Sequence, residues 1–303
     1  MTVHLKTSYS PPTMKKLPFK TLRHALTVPA FKLVILVSAV TPRWLSYINA
    51  RILGWLLSRL PLPSNRIIEK HIHGVMKDNG IAASAAGIYS SVLASFFDFF
   101  YLSYRSDSAF RKLVEVRGAE NIAEATSQGT GVIAVTAHFS AWELLPRAVK
   151  LLGFETAVVG RSLSQRDASC VLDKLRQKPG IQTVDRDAGA SPIVRLLRSG
   201  HALGILIDQS TRGVDSELCD FLGRQAPTPV SPAILAKRLK VPVVTLHITR
   251  RKNHSYILEI DKPLFFDEKD SVSGILEQLN SRISNWILSA PEQWVWFHDR
   301  WRK

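Results

Sequence analysis

Acidic residues are missing from one end of this chain. Residues 1–68 hold ten basic side chains (Lys6, Lys15, Lys16, Lys20, Arg23, Lys32, Arg43, Arg51, Arg59 and Arg66) and no Asp or Glu. Of the +15 formal charge, the remainder of the chain supplies only thirty basic against twenty-five acidic residues. The excess is therefore a property of the N-terminal segment and excludes a uniformly basic surface. Cysteine is scarce as well: Cys170 and Cys219 are the only two in 303 residues. That excludes a disulfide framework and a cysteine-based zinc pattern, and points to a reducing compartment with ordinary buried thiols. There is no H-E-x-x-H sequence, and His71 and His73 stand in a helical stretch without ligand neighbours, so metalloprotease chemistry is excluded and the pair reads as a solvated or interfacial feature. No internal repeat, low-complexity linker, or metal or cofactor motif is present.

The acid-free segment is also apolar. Val28 to Val40 reads V-P-A-F-K-L-V-I-L-V-S-A-V, a run short for a transmembrane helix and interrupted by Lys32, which suits interfacial or re-entrant insertion better than a full span. After Pro42, the residues Trp44, Ile48, Ile52, Trp55 and Leu56 recur at helical spacing, with Arg51 and Arg59 elsewhere on the cylinder. Boundary tryptophans and snorkelling arginines suit a helix lying in a lipid headgroup layer. No small-residue cleavage site follows, so a removed secretory signal is not expected; an organelle transit peptide is the weaker reading. Nucleic acid, the usual partner of basic chains, is disfavoured because these cations alternate with aliphatic runs. An anionic membrane is the expected partner.

The P-L-P-S-N break at residues 61–65 divides a basic, apolar, membrane-associating leader (1–65) from the rest (66–303). Residues 66–104 read as helical, and the uncharged, Ala/Ser-rich stretch Ile81–Phe97 reads as a buried or groove-lining helix, because Asp98 is costly in lipid. From about residue 130 short apolar runs alternate with amphipathic stretches. Strands are expected at 131–137, 156–160, 181–184, 202–208 and 241–248, with an edge strand near 254–260. Helices are expected near 143–152, 164–178, 189–199, 231–240 and 271–289. This alternation predicts an α/β fold: a central, mostly parallel sheet flanked by helices, with an N-terminal membrane-associated helical segment.

Ligands of open α/β sheets gather beyond the carboxyl ends of the strands. His138 follows the first strand, Arg161 the second, and Asp208 ends the fourth, so one sheet edge collects a histidine, an arginine and a carboxylate. His138 and Glu143, five residues apart, would be separated by about 140° on a continuous helix. They can pair if His138 lies in the turn and Glu143 points back from the first helical turn. Imidazole would then take a proton from an attacking hydroxyl while the carboxylate fixes its tautomer. Two readings stay open. Ser140–Ala141–Trp142–Glu143 is also a capping box, the role an isolated pair favours, and Pro146 must kink or restart the young helix. Arg161 either holds a phosphate in its planar fork or pairs with a surface acid such as Asp167. Asp208, taken alone, reads better as a strand-end turn residue leading into Q-S-T-R-G.

The stretch V-R-G-A-E-N-I-A-E-A-T-S-Q-G-T-G-V-I-A-V-T-A-H-F-S-A-W-E-L resembles the signature region of the bacterial lipid A biosynthesis acyltransferases, lauroyl and myristoyl transferases of the lysophospholipid acyltransferase superfamily. G-R-S-L-S-Q-R-D (160–167), G-I-L-I-D-Q-S (204–210), the block at 221–244 and the closing W-V-W-F-H-D-R-W follow in the family's order. The similarity runs from about residue 20 to the terminus. It implies a His138–Glu143 catalytic dyad, and acyl transfer from an acyl carrier protein or coenzyme A thioester to a hydroxyl of a glycolipid such as a lipid A precursor. It also implies substrate binding by Arg161 and Asp208, no cofactor or metal, and a place on the cytoplasmic face of a bacterial inner membrane. Pro146 and the Ala/Ser-rich 81–95 segment depart from the family's pattern and bear on the acceptor more than on the reaction. The alternatives are the same chemistry on a phosphoinositide mannoside, an ornithine lipid or a lysophospholipid, or a non-catalytic membrane scaffold of the same fold. I-D-Q-S-T-R-G stands near the place of a phenylalanine-proline-glutamate-glycine block, which disfavours a glycerolipid acceptor. An apolar trench, with the Phe96–Phe100 region among its walls, is expected to measure chain length.

Overall fold

A computed structural model describes residues 19–301 apart from 77–78, 128, 161–167 and 211–212. In chain order the helices and strands are α1 (Phe19–Val40), α2 (Arg43–Arg59), α3 (Pro63–His71), α4 (Ala85–Leu102), α5 (Asp107–Arg111), β1 (Val114–Arg117), α6 (Ala119–Thr126), β2 (Val132–Thr136), α7 (Leu145–Lys150), β3 (Thr156–Gly160), α8 (Ala168–Gln177), β4 (Gln182–Asp185), α9 (Ala190–Arg198), β5 (Ala202–Leu206), β6 (Ser216–Phe221), β7 (Arg224–Pro229), α10 (Ser231–Leu239), β8 (Val243–Arg250), β9 (Tyr256–Ile260) and α11 (Val272–Ser289).

Seven strands form one sheet in the order β1-β9-β8-β2-β5-β3-β4, and every neighbouring pair is parallel except β8 with β9. The expected mostly parallel sheet flanked by helices is what forms. All five residues of the central strand β2 are buried, as a strand covered on both faces requires. Alternation splits them between two cores: Ile133 and Val135 pack with residues of α9, α10 and α11, while Val132 and Ala134 pack with residues of α6, α7 and the Phe99–Phe100 end of α4. The 254–260 strand is not an edge. It lies between β8 and β1, and the edge is the four-residue β1, too short to show a periodicity.

Outside the main sheet, β6 and β7 make an antiparallel hairpin through Leu222 and Gly223, both with positive φ (56° and 78°). Two such residues match the handedness of a two-residue hairpin turn, although leucine there hides the signal. The hairpin docks on α11, where Asn280 donates to the Asp220 carbonyl and to the Thr228 hydroxyl.

The Ala/Ser-rich helix is explained by its neighbour. At Gly54 of α2 an added Cβ would stand 2.2 Å from the Ser90 hydroxyl and 2.8 Å from the Ala86 carbonyl of α4. Only small residues let two helices approach so closely. Asp98, at the far end of α4, is buried and receives both Nε and Nη2 of Arg43 at 2.8 Å, with the Tyr47 and Tyr256 hydroxyls also donating to it. α4 is the one described helix long and apolar enough to cross a membrane by length and composition, but over half of it is buried within the protein. Phe31 and Ile35 seat α1 against Phe100 and its neighbours, whereas Leu33, Leu36, Val37 and Val40 on the same helix are exposed.

His71 is not solvated. It is buried, with Nδ1 3.0 Å from the Trp296 carbonyl and Nε2 3.3 Å from Asp299, so it fastens α3 to the C-terminal tail; His73 is exposed. The tail then turns inward, burying Trp294, Trp296 and Arg300 beside the end of β5 and the hairpin.

Candidate active site

β2 and β5 run side by side in the register Ala134↔Gly204 and Thr136↔Leu206. His138 and Asp208 each lie two residues past these strands, so parallel pairing alone brings them together. His138 Nδ1 is 2.9 Å from Asp208 Oδ1. The other carboxylate oxygen accepts the His138 backbone N–H at 2.9 Å and the Trp294 indole N–H at 2.8 Å. Asp208 is completely buried. Burial alone would raise its carboxyl pKa, but the charge of His138 and the hydrogen bonds from its ring, from Trp294 and from the His138 amide hold it below the ordinary value. A carboxylate that accepts from Nδ1 fixes the tautomer, leaving the Nε2 lone pair free.

The expected pairing of His138 with Glu143 is replaced by this one. Both oxygens of Glu143 are taken by Arg176, at 2.8 Å from Nε and 2.6 Å from Nη2, and no hydrogen bond joins Glu143 to His138 among the described residues. Arg176 Nη1 also donates to Asp173 at 2.8 Å. Burial would lower the guanidinium's pKa, and the carboxylates of Glu143 and Asp173 more than offset it, holding it above the usual range. The reason is local backbone. Ser140 takes a positive φ of 50°, and its hydroxyl accepts the Arg250 N–H instead of capping a helix. A single 3-10 turn, Trp142–Leu144, follows, and α7 starts only at Leu145. Pro146 thus falls in the first turn, where its missing N–H costs nothing.

His138, Trp142 and Glu143 line a cavity of about 730 Å³. Its walls are mainly apolar groups of β2, β5, β3 and α7, among them Ala134, Val149, Val158 and Leu206. Gly204 keeps the floor low: a Cβ there would stand 3.3 Å from Val158 Cγ1. The Thr136 hydroxyl, also on the lining, is buried and takes no partner among the described residues. The Phe96–Phe100 region does not line this cavity. Phe96 stands behind it, edge-on to Trp142 at 5.5 Å, and Trp142 in turn meets the His138 ring at 5.3 Å.

Arg161 lies outside the described residues. Three residues at the site escaped the sequence reading. Arg176 is 33 positions from its partner Glu143, beyond any spacing rule. Trp294 belongs to an aromatic tail whose composition gave the only hint. His298 reaches the same edge, its Nε2 3.1 Å from the Ser210 carbonyl. Among the described residues no group of three or more His, Cys, Asp or Glu could hold a metal ion.

The family model described as bacterial lipid A biosynthesis acyltransferase matches residues 15–303. A lipid A biosynthesis palmitoleoyltransferase of Escherichia coli (strain K12) is 24% identical over 197 residues, which span 65% of this chain and 64% of the relative. A lipid A biosynthesis acyltransferase of Shigella flexneri matches to the same extent, 24% over 197 residues and 64% of its length. With the match running nearly end to end, the chain belongs to the bacterial lipid A biosynthesis acyltransferase family.

Proposed function

We propose that this protein is a membrane-associated O-acyltransferase that moves a fatty acyl chain from a thioester, on an acyl carrier protein or coenzyme A, to a hydroxyl of a glycolipid such as a lipid A precursor. The observation that carries the reading is the hydrogen bond of His138, on the wall of a mainly apolar cavity, to buried Asp208. Family membership supports the acyl donor and the lipid A type of acceptor.

The chemistry follows from the tautomer. With its Nδ1–H held by Asp208, His138 accepts the acceptor's hydroxyl proton at Nε2 as the oxygen attacks the thioester carbonyl. The imidazolium that forms is stabilised by the buried carboxylate. Collapse of the tetrahedral adduct breaks the carbon–sulfur bond, and the thiolate leaves with the proton returned from Nε2. No acyl-enzyme is formed. Glu143, clamped by Arg176, acts on the cavity wall as a positioning group. Arg161, immediately after β3, holds a phosphate of donor or acceptor. The acyl chain occupies the cavity between the sheet and α7.

Location follows from the leader. The exposed apolar side chains of α1 and α2, including Leu36, Val40, Trp44 and Ile52, lie on a segment without a single acidic residue. Such a surface seats in an anionic bilayer, here the cytoplasmic face of the inner membrane, where a soluble thioester arrives.

The test is acyl transfer in detergent, read by mass spectrometry of the lipid product. Wild type and His138→Ala face carrier-protein and coenzyme A thioesters, with a lipid A precursor and a whole-lipid extract as competing acceptors. A gain of one acyl group on the lipid A precursor, in wild type alone, is the expected result. A gain on another lipid moves the acceptor, and no transfer by folded wild-type protein removes the enzymatic reading.

A further inference from the structure

A second cavity lies apart from the one at His138. It is an open groove of about 830 Å³ between α2, α4, the β8–β9 turn and the start of the tail. Its small-residue walls come from the close crossing of α2 on α4, through Ala50, Ala86 and Ala94. Its charge is one-sided. Arg51, Arg250, Arg251 and Lys252 line it, against the single carboxylate of Glu292.

The partners of these groups show which charge is left over. Glu292 is committed to the start of α4, accepting from the Ser84 N–H at 3.0 Å and hydroxyl at 2.9 Å. Arg251 has a carboxylate partner in Glu115. Arg250 is half-buried and bonded to the Ser91 carbonyl, the Ser91 hydroxyl and the Ser95 hydroxyl, with its guanidinium 5.7 Å from the Tyr47 ring centre. Those contacts orient the guanidinium and leave its charge uncompensated. Arg51 and Lys252, both exposed, have no hydrogen-bond or ion-pair partner among the described residues. Three cations without a counter-ion thus face one concavity. Like charges gathered this way repel one another unless an anion enters.

Position selects the anion. Arg51, expected elsewhere on the cylinder, instead lies one helical turn from Ile48 on one side and Trp55 on the other, and both are exposed on the apolar face of α2. The groove therefore opens beside the exposed apolar face that, on the function proposed above, seats in lipid. Its inner wall touches the catalytic loop: the Arg250 N–H donates to the Ser140 hydroxyl at 3.1 Å, and the Ser140 N–H donates to the Gln293 carbonyl at 2.6 Å. Ser140 is two residues from His138.

We propose that this groove binds the phosphate of a phosphorylated glycolipid, and that Arg51, Arg250 and Lys252 hold that phosphate while an acceptor hydroxyl reaches His138. Recognition of the phosphate rests on the charge of the groove. Its assignment to the acceptor rests on the function proposed above. An acidic carrier protein would meet the same cations, but the apolar lining and the neighbouring lipid-facing helix favour a lipid.

The experiment uses the full chain: wild type, the Arg51→Ala/Lys252→Ala double variant, and Lys112→Ala as a control for charge removed elsewhere. Binding is measured by co-sedimentation with phosphatidylcholine vesicles doped with lipid A precursor, with the same lipid after phosphatase treatment, or with phosphatidylglycerol at matched charge. Wild type should prefer the phosphorylated glycolipid over its dephosphorylated form. The double variant should lose roughly tenfold in affinity for the phosphorylated form, and Lys112→Ala should keep it. Both substituted positions are exposed, and a thermal melt shows whether the variant is folded. An equal loss on phosphatidylglycerol reduces the groove to general membrane attraction and overturns the proposal, as does an unchanged affinity. In the transfer assay, a raised KM for the carrier-protein donor in place of the acceptor overturns it in favour of carrier docking. If wild type transfers no acyl group at all, the proposed function falls, while the vesicle measurement still decides phosphate binding.

Discussion

At the end of β2 the charges in and beside the loop that carries His138 are paired within the protein: His138 with Asp208, and Glu143 with Arg176. In the groove beside α2, Arg51 and Lys252 face solvent with no partner among the described residues, and Arg250 has only neutral ones among them. Internal pairing fixes side-chain geometry to a few tenths of an ångström, which proton transfer needs. Unpaired charge keeps its field for something that arrives from outside. The two regions are joined by the hydrogen bonds of Ser140, Gln293 and Arg250 and by the packing of Phe96 on Trp142, yet each set of charged side chains can be substituted separately.

The largest expected effects come from breaking the first pair. His138→Ala should lower acyl transfer by about 10³- to 10⁴-fold, the range of a lost general base with its orienting partner. Asp208→Asn should cost nearly as much, because an amide can present its N–H to Nδ1 and reverse the tautomer. Glu143→Gln should cost far less, since its partner is Arg176. Single-turnover rates rank the three. If Glu143→Gln proves more damaging than Asp208→Asn, the catalytic carboxylate is Glu143 after all and the two pairs exchange roles.

Next comes the stability of the second pair. Arg176→Met strands the nearly buried Glu143 carboxylate, and should destabilise the fold by about 2 kcal/mol, below the range for fully buried pairs because Arg176 is partly exposed. Adding Glu143→Gln should restore most of the loss. Urea melts of both variants measure this, and a double variant no more stable than Arg176→Met would show that Asp173, not Glu143, is the partner that matters.

These pairings mark where reading the sequence stops. Strand β3 was legible to the residue, and the placement of His138 and Asp208 at strand ends followed from apolar runs and the rule that sites gather at carboxyl edges. The choice of ion-pair partner did not follow. Glu143 is five residues from His138 and 33 from Arg176, yet the left-handed backbone at Ser140 and the late start of α7 turn it to the distant one. The hairpin turn at Leu222 hid behind a leucine in a glycine-like conformation, and β1 was too short for any period. His71 looked solvated because its partners, Trp296 and Asp299, come from the other end of the chain. Local patterns report faces and periods. They do not report which of two carboxylates the tertiary fold delivers.

On the groove side, Gly54→Val should cost about 1–3 kcal/mol as an overpacked contact, because the new side chain meets Ser90 and Ala86 of α4. It should also widen the groove and weaken vesicle binding. The same substitution should leave the His138–Asp208 contact in place, so single-turnover transfer to a soluble, short-chain acceptor separates the two regions. A parallel collapse of that rate would mean that the helix crossing also sets the catalytic loop.

Between the regions sits His247, stacked on Trp286 at 4.4 Å and edge-on to Phe139. Burial lowers its pKa to about 4, against a weaker upward pull from Asp261. The unfolded chain binds this proton below about pH 6.5 and the folded chain only near pH 4, so stability from the neutral ring is complete above 6.5 and is lost as the pH falls through that window. The difference between wild type and His247→Gln in urea midpoint should therefore shrink from pH 7 to pH 4. A constant difference would show that the folded ring titrates as the unfolded one does, and a difference that grows toward pH 4 that Glu259, at 3.3 Å, holds the ring charged in the fold.

The smallest change tests the cavity itself. Thr136→Val keeps the shape of the side chain and removes a buried hydroxyl that no group satisfies among the described residues. Removing such a group is neutral or stabilising, by up to about 1 kcal/mol, so the melt should not fall. If the hydroxyl serves a bound thioester or acceptor, transfer should drop severalfold while the fold holds, and the loss should appear in kcat/KM. Unchanged transfer in a protein of unchanged or higher stability would place the reacting groups nearer Trp142 and leave Thr136 as a tolerated cost of the strand. The two measurements move in opposite directions only if the site uses what the fold leaves unsatisfied, which is the same logic that assigns a ligand to the unpaired cations beside α2.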